Sequence, residues 1–207
     1  MNTHTARGEA RARQETLSPM RAFDPRRVAH AEKEAWVAYY QRRWLSLMRW
    51  LVELVRATFG LSLWQAIYIG VPLTRAQIAF APKDNDVPLA MAYMRKFYAF
   101  VQRVHREDFD PDQAARLDVN WWVIHRRLFG QTENQELVDA LTQLYAATYK
   151  VDPASVRQAA YHRAQAAIYS DRWVESERDE HSPLLAREEE ELVNSYAALR
   201  QAVALKD

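Results

Sequence analysis

The stretch NWWVIHRR, residues 120 to 127, places a histidine and two arginines directly beside two tryptophans. Histidine exchanges a proton near neutral pH more readily than other side chains, and it is the commonest metal ligand. His125 follows Trp121 by one helical turn, so the two share a face if this stretch is helical. His125 is therefore either a functional group or a packed side chain whose ring nitrogens meet a carbonyl or a carboxylate.

A second histidine has a similar setting, because His162 shares a helical stripe with Ala159, Ala166, Tyr169 and Trp173. Packing is the simpler interpretation of either histidine taken singly, since imidazole nitrogens readily find structural partners. The sequence contains no G-x-S-x-G elbow and no glycine-rich phosphate loop. It therefore assigns no catalytic residue and no cofactor.

A metal site in a helical bundle would need ligands that converge from facing helices. Glu34, Glu53, His125 and His162 lie on or beside apolar stripes, and together they form a hypothetical di-iron-like site. The sequence has neither the Glu-x-x-His spacing of such sites nor the HExxH spacing of zinc enzymes. The metal hypothesis thus depends on the placement of these four residues alone.

Aromatic residues with polar tips are more numerous than a plain core requires. Tyrosine and tryptophan need hydrogen-bond partners when they are buried, so a core rich in them holds polar groups or water. Such a core favours a pocket between helices for a small hydrophobic or planar ligand. The residues predicted to line it are Tyr40, Trp44, Tyr93, Trp121, His125, His162 and Tyr169.

The composition indicates a folded, helical, single-domain protein. The chain has 207 residues, 49% of them hydrophobic, and only four glycines, which disfavours hairpin-rich folds. It has no cysteine, which excludes disulfides and thiolate metal sites and is compatible with a reducing cytoplasm, the predicted location. The longest uncharged apolar run, residues 61–74, is shorter than the roughly 20 residues of a transmembrane helix.

Charge is distributed unevenly along the chain, although the net charge is only +1. Residues 1–56 carry 11 basic and 6 acidic side chains, whereas residues 171–207 carry 5 and 10. The two ends should therefore attract each other, most simply as first and last helices packed side by side within one molecule and alternatively head to tail between two chains. Nucleic acid is not an expected partner, because the basic excess is small and the acidic end would repel phosphates.

Proline marks four helix starts, at Asp24-Pro25, Asp110-Pro111, Asp152-Pro153 and Ser182-Pro183. A capping side chain accepts from the free backbone N–H groups of the first turn, and a proline at the first helical position loses nothing by lacking its own. Asp86 predicts a fifth start. Thr132 with Gln135 resembles a capping box and predicts a sixth.

Apolar residues recur every three or four positions between these starts, and no alternating strand pattern occurs. The sequence predicts an all-α domain over residues 25–207, a single bundle of about six to eight mostly antiparallel helices. An unbroken stripe over residues 25–59 predicts a long first helix that ends at Gly60. Residues 1–24 are predicted to be a flexible basic arm.

Three functions are compatible with this organisation, and whether the protein is an enzyme stays open. We rank first an interaction or structural protein, with a protein partner or a homo-oligomer, because this function makes the fewest demands on the sequence. The first alternative is the aromatic pocket with its small-molecule ligand. The second is a bundle-core metal oxidoreductase of the di-iron type.

Overall fold

The computed structural model describes residues 18–132, 134–176 and 178–204, and these residues form eight α-helices and no strand. The predicted all-α bundle is confirmed. The helices are α1 (Pro25–Tyr40), α2 (Trp44–Phe59), α3 (Leu63–Phe80), α4 (Val87–His105), α5 (Pro111–Arg127), α6 (Gln135–Tyr149), α7 (Pro153–Glu175) and α8 (Pro183–Ala204).

The eight helices form a closed ring. Each helix packs against its neighbours in the chain, and α8 packs against α1. Because the connections are short, successive helices run antiparallel, as predicted. We call the end at the α1–α2 connection the upper end of the ring and the end at the α2–α3 connection the lower end.

Most predicted helix starts occur where the capping chemistry placed them. The carboxylates of Asp24, Asp110 and Asp152 each accept from the backbone N–H two residues further on, at 2.7 to 2.9 Å. Asp86 accepts from the third residue beyond it, and Ser182 Oγ accepts from the second. These starts were predictable because a cap is a contact between close neighbours in sequence.

The prediction for the start of α6 is wrong. This helix begins at Gln135 with Asn134 as the capping position, so Gln135 is the first helical residue instead of the third. A capping box needs the glutamine at the third helical position. Gln135 is at the first, so Thr132 and Gln135 do not form a capping box. Among the described residues, the Asn134 side chain accepts no capping hydrogen bond from the first turn of the helix.

The predicted long first helix is divided in two. The chain leaves the helical path at Gln41–Arg43, where Arg42 adopts a left-handed backbone with φ of 57°. This turn lets α2 fold back along α1. Gly60 ends α2 in the left-handed conformation as predicted, with φ of 60°.

Pro72 lies inside α3 and does not begin a new helix. The apolar stretch therefore lies in a single helix, whose outer face is exposed at Trp64 and Tyr68. Along the described part of the chain, no helix combines the length and the apolar character needed to cross a membrane.

The oppositely charged ends of the chain meet within the molecule. The Lys33 ammonium on α1 lies 3.1 Å from the Glu189 carboxylate on α8, and His30 lies 3.0 Å from the same carboxylate. Arg43 and Glu180 form a further pair at 3.1 Å near the upper end. The expected side-by-side packing of the first and last helices is therefore correct.

The lower end of the ring is covered by the segment that precedes α1. Pro19–Arg21 form one turn of 3-10 helix, and Met20 and Phe23 are buried in the core. Arg21 donates to the backbone carbonyl of Tyr149 at 2.7 Å and to that of Val203 at 3.1 Å. Residues 18–24 therefore differ from the predicted arm, whereas residues 1–17 of that prediction lie outside the described residues.

Candidate functional site

The centre of the ring holds a cavity of about 230 Å³. All eight helices contribute side chains to its wall, and close to half of the wall residues are aromatic. A cavity of about 150 Å³ takes up benzene, so this one has room for roughly ten non-hydrogen atoms. It is large enough for a small organic molecule.

A buried ion pair crosses the cavity wall between α1 and α7. Glu32 is only 1% exposed, and its carboxylate accepts from the Arg163 guanidinium and from the Tyr196 hydroxyl. Arg163 also donates to the Tyr145 hydroxyl at 3.3 Å. Burial by itself would lower the pKa of Arg163, but Glu32 together with Tyr145, Tyr196 and Asp118 outweighs it and holds that pKa well above the usual value. Arg163 therefore keeps its charge inside the protein.

Asp118 is a second acidic group of the wall. Its carboxylate accepts from the Tyr98 hydroxyl at 2.8 Å and from the Trp121 indole N–H at 2.7 Å. Burial raises the pKa of Asp118, although the nearby Arg163 and these two hydrogen bonds oppose the shift. Asp118 thus adds a polar group to the cavity wall, and its two hydrogen-bond partners are both uncharged.

A histidine and an aspartate pair near the upper end of the cavity. Nε2 of His125 lies 2.9 Å from Oδ1 of Asp171, and Oδ2 of Asp171 accepts from the Gly130 N–H at 3.2 Å. The imidazole also stacks on the Trp121 ring, with 6.0 Å between centroids. His125 belongs to the cavity wall, and it has the carboxylate partner expected of a packed histidine.

Arg126 closes part of the wall at the upper end. It donates to the carbonyl of Phe80 at 2.6 Å and to that of Pro82 at 2.7 Å, at the end of α3. Its guanidinium lies 4.1 Å from the centre of the Phe80 ring. A cation at a helix C-terminus offsets the partial negative charge of the free carbonyls, so Arg126 is engaged by the fold.

Two hydroxyl groups of the wall lack partners. Thr74 and Thr142 bond to the carbonyl four residues earlier, as helical threonines usually do. The Thr58 and Thr148 hydroxyls are buried at the wall and have no hydrogen-bond partner among the residues that the structure describes. Both oxygens are closed to solvent, so they are buried polar groups of the wall whose lack of a partner is costly.

The structure brings three of the predicted pocket residues to the cavity, namely Tyr40, Trp121 and His125. Trp44 packs on Tyr39 instead, with 6.4 Å between the ring centroids. The other three contact charged groups away from the cavity. Tyr93 lies beneath Arg75 and Lys96, His162 pairs with Glu191, and Tyr169 lies beneath Arg172.

The structure does not bring the proposed metal ligands together. Glu34 pairs with Lys33, Glu53 with Arg27 and Arg56, His125 with Asp171, and His162 with Glu191. Over the described ranges, no three histidine or acidic side chains converge as metal ligands do. The stripes that carry these residues face different neighbours around the ring, which sequence spacing cannot reveal.

Sequence reasoning missed the charged residues of the wall, above all Glu32, Asp118 and Arg163. One signal could have found Glu32, because it lies one turn from Val28 and from Ala35 and so interrupts an apolar stripe. Arg163 likewise lies among alanines on α7. A charge on a buried helical face requires a partner elsewhere in the fold.

The chain matches no protein-family model, and no curated protein or solved structure matches it. The class of protein is therefore given by its own geometry, an all-α ring of eight helices around a central cavity with aromatic walls and a buried charged network.

Proposed function

We propose that the protein binds a small, uncharged, flat and mostly apolar molecule in its central cavity. The observation that carries this proposal is a cavity of about 230 Å³ whose wall combines aromatic rings with a few polar side chains, among them Asp118 and His125. Ligand pockets typically have apolar walls with a few polar groups that orient the ligand. A hydroxyl group on the ligand would pair with one of these polar side chains.

The charges in the wall support an uncharged ligand. Glu32 and Arg163 are already paired, and Arg126 is engaged by the carbonyls at the end of α3. An anionic ligand would lose its hydration without gaining a free cation, which is costly in a buried site. Burial raises the pKa of Asp118 and so disfavours the charged form that would attract a cation. A cytoplasmic location belongs to the same proposal and is compatible with the absence of cysteine from the sequence.

Binding can be tested with 2-naphthol, a flat molecule of suitable size that carries one hydroxyl. At about ten times its dissociation constant, a ligand of the folded state stabilises it by about 1.4 kcal/mol. We therefore expect 2-naphthol to raise the melting temperature by a few degrees, with saturable heat in calorimetry.

Two matched variants locate the binding. Ala35 belongs to the cavity wall, so Ala35→Phe should fill part of the cavity and weaken 2-naphthol binding at least tenfold. Ala92 on α4 is exposed, so Ala92→Phe should leave binding unchanged. Equal binding to both variants, or none to the unmodified protein, would contradict the proposal.

We propose self-association as a second candidate function, and the outer face of α3 supports it. Trp64 and Tyr68 on this face are 78% and 69% exposed, and Val71 and Ile78 extend the same stripe. Exposed apolar patches of this kind typically mark interaction sites. The partner proposed for this face is a second copy of the chain.

Sedimentation across a wide dilution range tests this second function. Trp64→Lys should weaken association at least tenfold, because a charge replaces the largest exposed ring of the stripe. Leu45 is 88% exposed but lies on α2, so Leu45→Lys is the matched control and should have no effect. A protein that stays monomeric at every concentration would exclude this function.

A further inference from the structure

The hydrogen bond between His125 and Asp171 fixes the tautomer of the imidazole. An ionised carboxylate can only accept, so we assign the proton of this bond to Nε2 of His125. Asp171 is itself oriented by the Gly130 N–H, which holds its other oxygen at 3.2 Å. In the neutral imidazole, the lone pair is therefore on Nδ1.

Nδ1 of His125 is unengaged within the described residues, because the only polar contact of this ring is the Nε2 bond to Asp171. The ring belongs to the cavity wall, whereas Asp171 lies behind it and does not. The imidazole thus stands between the carboxylate and the cavity. Nδ1 is therefore a polar atom that remains for a bound molecule.

This arrangement has the elements of general-base catalysis. A carboxylate behind an imidazole orients the ring and stabilises the imidazolium that forms when the ring accepts a proton. Trp121 and Trp122 are buried members of the same wall, so the imidazole lies among apolar rings.

We propose that His125 is a general base that removes a proton from a molecule bound in the cavity, with Asp171 as its positioning residue. The substrate class is an uncharged, flat molecule with an acidic C–H, N–H or O–H group. This inference rests on the proposed ligand-binding function, because the base acts only on what the cavity holds. His125 returns the proton to water after the product leaves, so no other reactant is consumed.

The probe is 5-nitrobenzisoxazole, a flat, uncharged molecule that a single base converts to a coloured product. His125 would take the proton on C3, the C–H electron pair would form the nitrile, and the N–O bond would break to leave a phenolate. The conversion involves no oxidant or reductant. We expect the full-length protein to be about a hundredfold faster than free imidazole at equal concentration.

Three variants assign the base. His125→Gln should lower kcat about a hundredfold. Asp171→Asn should lower kcat similarly with KM unchanged. The Gly130 N–H would keep the amide oxygen of Asn on its own side, so the amide N–H₂ would face Nε2 of His125. Nε2 would then have to accept, and the imidazole proton would move to Nδ1. His162→Gln is the control, since His162 has a similar carboxylate pair, with Glu191 at 2.7 Å, away from the cavity, and it should not change kcat.

One measurement needs no variant, and it applies even if His125→Gln fails to fold. Saturating 2-naphthol should abolish turnover by the unmodified protein, because both molecules need the same cavity. Turnover that survives 2-naphthol, or a His125→Gln variant that folds and keeps full kcat, would overturn the base assignment. If 2-naphthol binds and 5-nitrobenzisoxazole is not converted, the base fails and the binding function stands. If neither occurs, both fail.

Discussion

Replacing Arg163 by methionine should destabilise the protein by about 3–5 kcal/mol, the typical cost of removing one partner of a buried ion pair. The Glu32 carboxylate would remain at 1% exposure with the Tyr196 hydroxyl as its hydrogen-bond partner. Asp118 would lose its nearby positive charge. Methionine preserves most of the packing of the arginine stem, so the measured change in unfolding free energy in urea reports the lost charge.

The matched control is Arg157→Met on the same helix. Arg157 pairs with Asp139 at 2.9 Å, but both side chains are about half exposed, so the loss should stay below about 1 kcal/mol. The double variant Glu32→Gln with Arg163→Met removes both charges and should be more stable than Arg163→Met alone. A double variant as unstable as the sum of the single ones would contradict the ion-pair explanation.

The parts of the fold that the sequence predicted are those decided by close neighbours. Asp24, Asp110 and Asp152 cap their helices through backbone N–H groups two residues away, and Gly60 ends α2 by its own backbone freedom. The helical class followed from spacing alone. These contacts require no knowledge of what lies across the ring.

The division of the first predicted helix shows where local rules stop. The residues from Tyr39 to Trp44 include no glycine and no proline, so no local signal ends the helix. The chain nevertheless turns at Arg42, in a left-handed conformation that costs about 1–2 kcal/mol for a residue with a side chain. Packing of α2 against α1 must offset that cost, and such packing cannot be deduced from periodicity.

The candidate site was only partly predictable for the same reason. Tyr40, Trp121 and His125 lie in the cavity wall, and helical spacing can indicate such a face. The pairs that give the cavity its chemistry join distant parts of the chain. Glu32 and Arg163 are 131 positions apart, and His125 and Asp171 are 46 apart. They meet because the ring closes, which spacing within one helix does not show.

Glu188 is a buried carboxylate outside the cavity wall, and its replacement should have the second large effect on stability. Glu188 on α8 is fully buried, and neither of its oxygens has a hydrogen-bond partner among the residues that the structure describes. Burial raises the pKa of Glu188 well above its ordinary value, and the Glu32 carboxylate raises it further, while Lys33 opposes the shift. Between the ordinary glutamate pKa and this raised pKa, the folded state therefore holds a proton at Glu188 that the unfolded chain releases.

Replacing Glu188 by methionine should therefore stabilise the protein near neutral pH, by about 1–3 kcal/mol, the usual cost of a buried polar group without a partner. The sign follows from proton linkage. Below the ordinary glutamate pKa of about 4.5, both states hold the proton and the carboxyl group contributes no pH dependence. As the pH rises above it, only the unfolded chain ionises, so the unmodified protein loses stability until the raised folded pKa is reached.

The advantage of Glu188→Met should thus grow with pH, and urea unfolding measured at a series of pH values will show it. Glu190 on the same helix is 59% exposed and pairs with Arg187, so Glu190→Met should change stability by less than about 1 kcal/mol at every pH. A Glu188→Met variant that is less stable than the unmodified protein at neutral pH would mean that the carboxylate has a favourable partner. Glu32 and Asp171 both raise the pKa of Glu188 by charge repulsion. A charge on Glu188 would therefore also repel the Glu32 carboxylate of the ion pair and the Asp171 carboxylate behind the proposed base.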